Sequence, residues 1–302
     1  MGMRHGHPHP ILSLKVREMS DALDAKYLAL ISQRIEVCLN YLPQFGQGKS
    51  VTRQAFERLY GHDVFYAWFG LDHPLIYAAH KTAGGITSLY RQIGIGCEQL
   101  FRQILMDQLG LSDAQSKWSY SVIYGNSKPR TLYLDGRIEL ENIVDTSAKN
   151  RVSIWMHDAA EVIGVNPVVA SVLRGVVFEV RQGYKSKDSK RQNADIGNAA
   201  IAYSQGYLPV IVILSDQIDS DVAERYMKAG WLLLRGILND NPCTSTFNFV
   251  EQVLGYDLAG FFSRNAPSLK QTVILVLEAL LSPDHQPDST YGVSDADESP
   301  EF

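Results

Sequence analysis

The second half of the chain alternates between apolar runs and helical stretches, and this alternation constrains the fold more than any other feature. The runs "GVVFEV" at 175–180 and "YLPVIVILS" at 207–215 are continuous and apolar, as buried strands are. A third such run is "WLLLRG" at 231–236, and stretches with helical spacing at 188–206 and 219–230 separate the three. The order strand, helix, strand, helix, strand predicts an α/β fold in which helices pack on a central sheet.

The first half has the apolar spacing of helices. Three stretches carry it: "SDALDAKYLALISQRIEVCLNYL" at 20–42, "TRQAFERLYG" at 52–61 and "GGITSLYRQIGIGCEQLFRQILMDQLG" at 84–110. We therefore expect a helical region at 15–118 and an α/β core at 119–283. The polar leader at 1–14 and the acidic tail at 284–302 have compositions that do not build a core, so both are predicted to be disordered.

Two further segments connect these halves. "RTLYLDGRIELENIV" at 130–144 predicts a β-hairpin with Asp135 and Gly136 at the turn. "TSAKNRVSIWMHDAAEVIG" at 146–164 predicts a helix, with a turn to strand at its end as the alternative.

Composition excludes several classes of protein. The net charge is -5, so any surface that binds nucleic acid must be local. The 3 cysteines lie far apart with no CxxC pair, which speaks against a zinc ribbon or a disulfide framework and favours reduced thiols in a cytoplasm. No apolar run has the length of a membrane span and no signal peptide opens the chain, so we expect a cytoplasmic protein without a membrane partner.

Glu179 places a carboxylate near the end of an otherwise apolar strand, and basic residues follow it. A buried carboxylate is costly unless a cation pairs with it or a metal binds it. One interpretation is an ion pair with Arg181, Lys185 or Lys187. The other is a bound Mg²⁺ ion, which takes carboxylate oxygens and keeps several waters, with a lysine nearby to orient the attacking water.

The helix after this strand begins with a polar, basic turn that contains Lys190, Arg191, Gln192 and Asn193. A helix N-terminus offers free N–H groups to phosphate. Lysine and arginine can hold a nucleic-acid backbone there, while glutamine and asparagine can read base edges.

These features together resemble the core of the PD-(D/E)xK nucleases and, more narrowly, a type II restriction endonuclease. The family core runs helix, hairpin, strand ending in (D/E)xK, helix and strand, and residues 119–236 follow that order. The resemblance implies a mixed sheet flanked by helices and site-specific, Mg²⁺-dependent hydrolysis of double-stranded DNA. It also implies a homodimer of bacterial or archaeal origin.

The resemblance assigns roles to particular residues. Glu179 would be the metal-binding acid, and Arg181 stands where the family usually has lysine. Arginine is a poor proton acceptor, so its role would be orientation and charge stabilisation. Lys185 or Lys187 would then supply the ammonium group.

The first metal-binding aspartate has two candidates. Asp158 precedes Glu179 by a separation that suits the motif, and it is the favoured one, with Glu161 as an additional candidate ligand. Asp135 also starts an apolar segment, but an Asp-Gly pair is usually just a turn.

Further DNA contacts are expected from the helical region and the hairpin. Arg91 and Gln92 in "LYRQIG", and Lys128 and Arg130 in "SKPR", are the candidates. Exposed polar positions explain them equally well. The helical region itself would form a dimer contact or part of a DNA clamp.

Two other classes of protein compete with the nuclease interpretation. His157 and Asp158 in "MHDAAEVIG" resemble the HD-type metal-dependent phosphohydrolases, which act on nucleotides. That family needs further ligands on an all-helical scaffold. A non-catalytic nucleic-acid-binding protein would use the basic helix alone.

Overall fold

This computed structural model describes the backbone of residues 10–45, 49–122, 130–183 and 189–285. Side chains are described at 21–45, 49–121, 131–183 and 196–285. Most of the predicted leader and tail lie outside the described residues. Residues 10–14 of the leader are described, and they belong to a helix.

The helices of the described residues are α1 (Pro10–Glu36), α2 (Arg53–Gly61), α3 (Val64–Trp68), α4 (Pro74–Leu109), α5 (Asp113–Ser116), α6 (Thr146–Val162), α7 (Pro167–Ala170), α8 (Ser189–Ser204), α9 (Ser220–Lys228), α10 (Thr246–Asn248) and α11 (Leu258–Leu281). Short 3₁₀ turns cover Val37–Asn40 and Leu140–Asn142, and a π-helical turn covers Phe249–Leu254. The strands are β1 (Trp118–Val122), β2 (Arg130–Leu134), β3 (Gly136–Glu139), β4 (Gly175–Arg181), β5 (Tyr207–Ile213) and β6 (Leu232–Leu234).

The chain forms two compact units. The first contains the described residues up to Ile86 together with those from Phe261 onwards, and the second contains the described residues of 87–260. The division falls within α4, whereas the sequence changes character near residue 118.

The first unit is built from helices. Tyr27 and Ile31 of α1 are buried, and the ring of Tyr27 meets that of Phe261 edge-on with centroids 6.2 Å apart. Nζ of the buried Lys81 donates to the carbonyl of Ala279, 2.8 Å away in the last turn of α11. A lysine in this position satisfies a carbonyl that the helix end leaves without an intrahelical partner.

The second unit contains a mixed sheet with helices on both faces. Its strand order is β3-β4-β5-β6, with β3 antiparallel to β4 and the other neighbours parallel. The predicted strands β4, β5 and β6 and the predicted helices α8 and α9 are all present, which confirms the expected α/β class. The two helices end as predicted, since Gly206 and Gly230 follow them with positive φ.

Alternate side chains of β4 point to opposite faces of the sheet. Val177 packs with Ile211, and with Ala199 of α8, in one buried cluster. Phe178 packs on the other face against Phe101 of α4 and Phe249, with ring centroids 5.0 and 5.8 Å away. Glu179 and Arg181 therefore share the face of Val177, which α8 and α9 cover.

The predicted hairpin at 130–144 is wrong. β2 pairs with β1 in a separate two-stranded sheet, and β3 pairs with β4 instead. A type I′ turn needs positive φ at both central residues. No non-glycine residue of the described chain has positive φ, and Gly136 is not among the glycines that do. Asp135 therefore lies where the chain passes from one sheet to the other.

Candidate functional site

Asp135, Glu179 and Arg181 meet at one end of the mixed sheet and form what we call the carboxylate site. Nη2 of Arg181 contacts Oε1 of Glu179, and Nη1 lies 3.8 Å from Oδ2 of Asp135. Nη1 also donates to the carbonyl of Val180 at 3.1 Å. Oxygens from three residues thus converge on one guanidinium group.

Backbone pairing between β3 and β4 places Asp135 at this site. The amide of Asp135 donates to the carbonyl of Phe178 at 2.9 Å, and the amide of Val180 donates to Oδ2 of Asp135 at 2.7 Å. Nε of Arg102, on α4, donates to the Asp135 carbonyl at 2.8 Å. The aspartate is therefore held through both its backbone and its side chain.

The site is largely shielded from water. The exposed fractions of the side chains are 8% for Glu179, 10% for Arg181 and 19% for Asp135. At this burial neither charged partner would be tolerated alone, because desolvation of an unpaired charge is costly. The arginine stays protonated, so it can neutralise and orient but cannot act as a base.

The oxygens around Arg181 form a donor set that suits a hard cation. Two carboxylates and a backbone carbonyl match the ligands of Mg²⁺, which completes its octahedron with water. In the part of the chain that is described, no group of three or more His, Cys, Asp or Glu side chains could hold a metal ion. The described protein ligands of a metal ion at this site would therefore be two carboxylates, and Arg181 lies beside the same oxygens.

Asp158 does not join Glu179. It is exposed on α6, and this helix packs on the opposite face of the sheet, where Trp155 meets Phe249 with ring centroids 4.3 Å apart. The Asp158 carboxylate lies near Cys243 and, after burial, is the second cause that raises the pKa of that thiol. Asp135, the alternative first aspartate, is the one that the structure brings to Glu179.

Two other predicted residues lie on the same helix. Glu161 is exposed in the last turn of α6. His157 is also exposed, and its Nδ1 lies 2.7 Å from the carbonyl of Ser153, one turn earlier.

The predicted DNA contacts are only partly described. Arg91 is exposed on α4. Gln92 is buried, so the Gln92 side chain is not available for the DNA contact that the sequence predicted. Arg130 begins β2, and its side chain lies outside the described residues, as Lys128 does entirely.

The basic segment after β4 is described in its backbone from Ser189. The first turns of α8 contain Lys190, Arg191, Gln192 and Asn193, whose side chains lie outside the described residues, as do Lys185 and Lys187 entirely. Since α8 connects the parallel strands β4 and β5, its N-terminus lies at the edge where β4 ends with Arg181. The topology thus brings a helix N-terminus to the edge that holds the carboxylate site.

Sequence reasoning missed a second ion pair at this edge. Arg235 follows β6 and Asp216 follows β5, and Nη2 of the arginine contacts Oδ1 of the aspartate. Their positions directly after buried strands were the available signal, because the carboxyl ends of parallel strands share one edge.

A second Arg–Glu pair, between the exposed Arg174 and the buried Glu139, lies at the opposite end of the sheet. Nη1 of Arg174 is 3.0 Å from Oε1 of Glu139, and the hydroxyl of Tyr207 donates to Oε2 at 2.9 Å. Burial, followed by this hydrogen bond, raises the pKa of Tyr207. Arg174 thus contacts one carboxylate, whereas Arg181 in the carboxylate site lies beside two.

Comparisons with protein-family models, with curated proteins and with solved structures find no match for this chain. No described helix has the length and apolar character needed to cross a membrane.

Proposed function

We propose that this chain is a Mg²⁺-dependent endonuclease of the PD-(D/E)xK type, which hydrolyses phosphodiester bonds in double-stranded DNA at specific sites, as a type II restriction enzyme does. The observation that carries the proposal is the convergence of the Asp135 and Glu179 carboxylates on Arg181, at the end of adjacent strands. A bacterial or archaeal cytoplasm is the setting that such an activity implies.

The carboxylate site would hold the metal through Asp135 and Glu179. When bound, Mg²⁺ supplies Lewis-acid polarisation of the phosphate and a more acidic water. Asp135 is positioned for this by the Val180 amide, which fixes one of its carboxylate oxygens. Arg181 balances the two carboxylates and stabilises negative charge on the phosphate as it is attacked. Lys185 or Lys187 would orient the attacking water.

DNA would lie along the edge where β4, β5 and β6 end. The N-terminus of α8 suits a phosphate there, with Lys190 and Arg191 holding the backbone and Gln192 and Asn193 reading base edges. Arg91, Lys128 and Arg130 remain candidates for contacts with the DNA backbone. A homodimer would bring a second carboxylate site to the other strand.

A non-catalytic nucleic-acid-binding protein is the second candidate, and one observation favours it. The contacts of Arg181 with Glu179 and Asp135 form an ion pair that needs no metal. The phosphohydrolase alternative has less support, because His157 and Asp158 are exposed on α6 and belong to no described group of three or more side chains that could hold a metal ion.

Incubation with plasmid and phage DNA, methylated and unmethylated, with Mg²⁺ or with EDTA, tests the proposal. We expect discrete fragments that require Mg²⁺, and loss of cleavage in Asp135→Asn and Glu179→Gln. Asp158→Asn is the matched control, since it neutralises an exposed carboxylate outside the site, and it should cleave as the wild type does. Metal-independent binding with intact DNA would favour the non-catalytic protein, and nucleotide hydrolysis lost in His157→Ala would favour the phosphohydrolase.

A further inference from the structure

A cluster of large apolar side chains stands exposed around α3 in the first unit. It consists of Leu59, Val64, Phe65, Tyr66, Trp68, Phe69 and Leu75, which we call the aromatic face. The exposed fractions reach 79% for Trp68, 68% for Phe69 and 58% for Phe65. Isolated exposed apolar residues are ordinary, but seven within 17 consecutive positions, 59–75, are not.

Local structure explains why these side chains point outward together. Asp63 caps α3, because its Oδ1 accepts from the amides of Phe65 and Tyr66 at 2.9 and 3.3 Å. Gly70, with φ of 67°, follows and turns the chain. A helix of 5 residues is too short to separate a buried side from an exposed one, so its apolar side chains spread over the surface.

Contacts between rings connect several members of the aromatic face. The rings of Phe65 and Phe69 lie 5.1 Å apart, and Tyr66 stacks on Tyr60 of α2 at 4.9 Å. These contacts anchor α3 to α2 and give the face a defined shape. It therefore resembles a preformed binding surface more than a loose loop.

The size of the aromatic face approaches that of one side of a stable protein interface. With about 150–250 Å² for each aromatic side chain, the exposed fractions of the four aromatic residues give roughly 360–610 Å², and the three aliphatic side chains add further apolar surface. The total exceeds the few hundred Å² that monomers usually expose. It approaches the ~800 Å² that each partner contributes to a standard interface.

Charge decides what covers the face. Positions 57–80 contain three acidic residues, Glu57, Asp63 and Asp72, and one basic residue, the exposed Arg58. A surface of this charge does not attract DNA or an anionic bilayer, both of which are bound through basic side chains. The partner is therefore a protein with an apolar surface of similar size.

We propose that the aromatic face joins two copies of this chain across a twofold axis. In such a dimer the same patch lies on both subunits, so an apolar face is complementary to itself. A further reason rests on the proposed nuclease function, because a break in both DNA strands needs two carboxylate sites. The area and the charge of the face do not depend on that function.

Sedimentation equilibrium over a range of protein concentrations, without DNA or metal, tests the dimer. We expect a wild-type dimer, and a dimer dissociation constant at least about 30-fold higher in Trp68→Glu, since a buried tryptophan anchor typically contributes that much or more. Leu238→Glu is the matched control: Leu238 is also 79% exposed but lies in the second unit. This variant should remain dimeric.

Phe69→Ser tests the same face with a milder change, should Trp68→Glu fail to fold, and far-UV circular dichroism checks both variants. A wild-type monomer at every concentration would overturn the proposal. So would a dimer that both substitutions leave intact, or DNA binding that Trp68→Glu weakens without affecting the dimer. A monomer that still cleaves DNA would refute the dimer and leave the nuclease standing, whereas a dimer that cleaves nothing would do the opposite.

Discussion

Replacing Arg181 with methionine separates a metal site from a structural ion pair. The substitution keeps an apolar stem but removes the guanidinium that lies between Glu179 and Asp135. Loss of one partner from a buried ion pair costs about 3–5 kcal/mol. The exposed fractions of 10% for Arg181 and 8% for Glu179 place the site in that regime. We therefore expect the free energy of unfolding without divalent ions to fall by about that amount.

Divalent ions should restore much of this loss if the two carboxylates form a metal site. An ion at 100 times its dissociation constant stabilises the folded protein by about 2.7 kcal/mol. In the wild type, Arg181 competes for the same oxygens, so Mg²⁺ should stabilise it less than it stabilises Arg181→Met. Unfolding in urea, with Mg²⁺ and with EDTA, measures both values. Guanidinium chloride is unsuitable, because its cation can take the place of the missing side chain.

Arg174→Met is the control for the response to Mg²⁺, at the other end of the same sheet. The Arg174 side chain is 54% exposed, against 10% for Arg181, so its loss should cost less stability. Arg174 pairs with the buried Glu139, and no second carboxylate is described beside that pair. The variant should lose stability that Mg²⁺ does not restore. Equal effects of Mg²⁺ on Arg181→Met and Arg174→Met would refute the metal site, as would a rescue that survives Glu179→Gln.

Three further outcomes follow from single contacts. In Gly175→Ala the new Cβ would lie 2.1 Å from the Ile138 carbonyl oxygen, so β3 must shift. We expect the free energy of unfolding in urea to fall by about 1–3 kcal/mol, and DNA cleavage to fall with it. Full cleavage activity would contradict this. Tyr203 donates to the Gly230 carbonyl at 2.7 Å, and burial raises its pKa from 10.0 to about 12. The stabilisation that this hydrogen bond gives is therefore complete below pH 10 and is lost as the pH rises towards 12. Below pH 10 the free energy of unfolding of the wild type should exceed that of Tyr203→Phe by about 1 kcal/mol, and this difference should narrow above pH 10. Burial raises the pKa of Cys97 to about 12, so an aromatic disulfide reagent should label this thiol only after unfolding.

The elements that the sequence predicted correctly share a local cause. β4 and β5 are continuous apolar runs, and glycines with positive φ end the helices near them. A buried strand and a capped helix each depend on residues within about ten positions, so the period of the sequence is enough to find them. The ion pair between Glu179 and Arg181 could be predicted for the same reason, since residues two apart on a strand share a face.

Local sequence does not decide whether Asp158 or Asp135 is the first metal-binding aspartate, because the answer depends on tertiary packing. Helical spacing identifies α6, but nothing in that spacing says on which face of the sheet the helix packs. Trp155 of α6 packs on Phe249, which packs on Phe178, so α6 lies on the face opposite to Glu179. The sequence separation that favoured Asp158 carried no information about this face.

Asp135 reaches the site through strand register, which only long-range pairing fixes. Gly136 lies opposite Phe178 in the β3–β4 ladder, so the same register extended by one residue sets Asp135 opposite Glu179. A slip of one residue would turn Asp135 to the other face of the sheet. Close approach of the strands at Gly175, where no side chain would fit beside the Ile138 carbonyl, opposes such a slip. The strand register and the carboxylate site therefore depend on the same contacts, and Gly175→Ala should weaken both together.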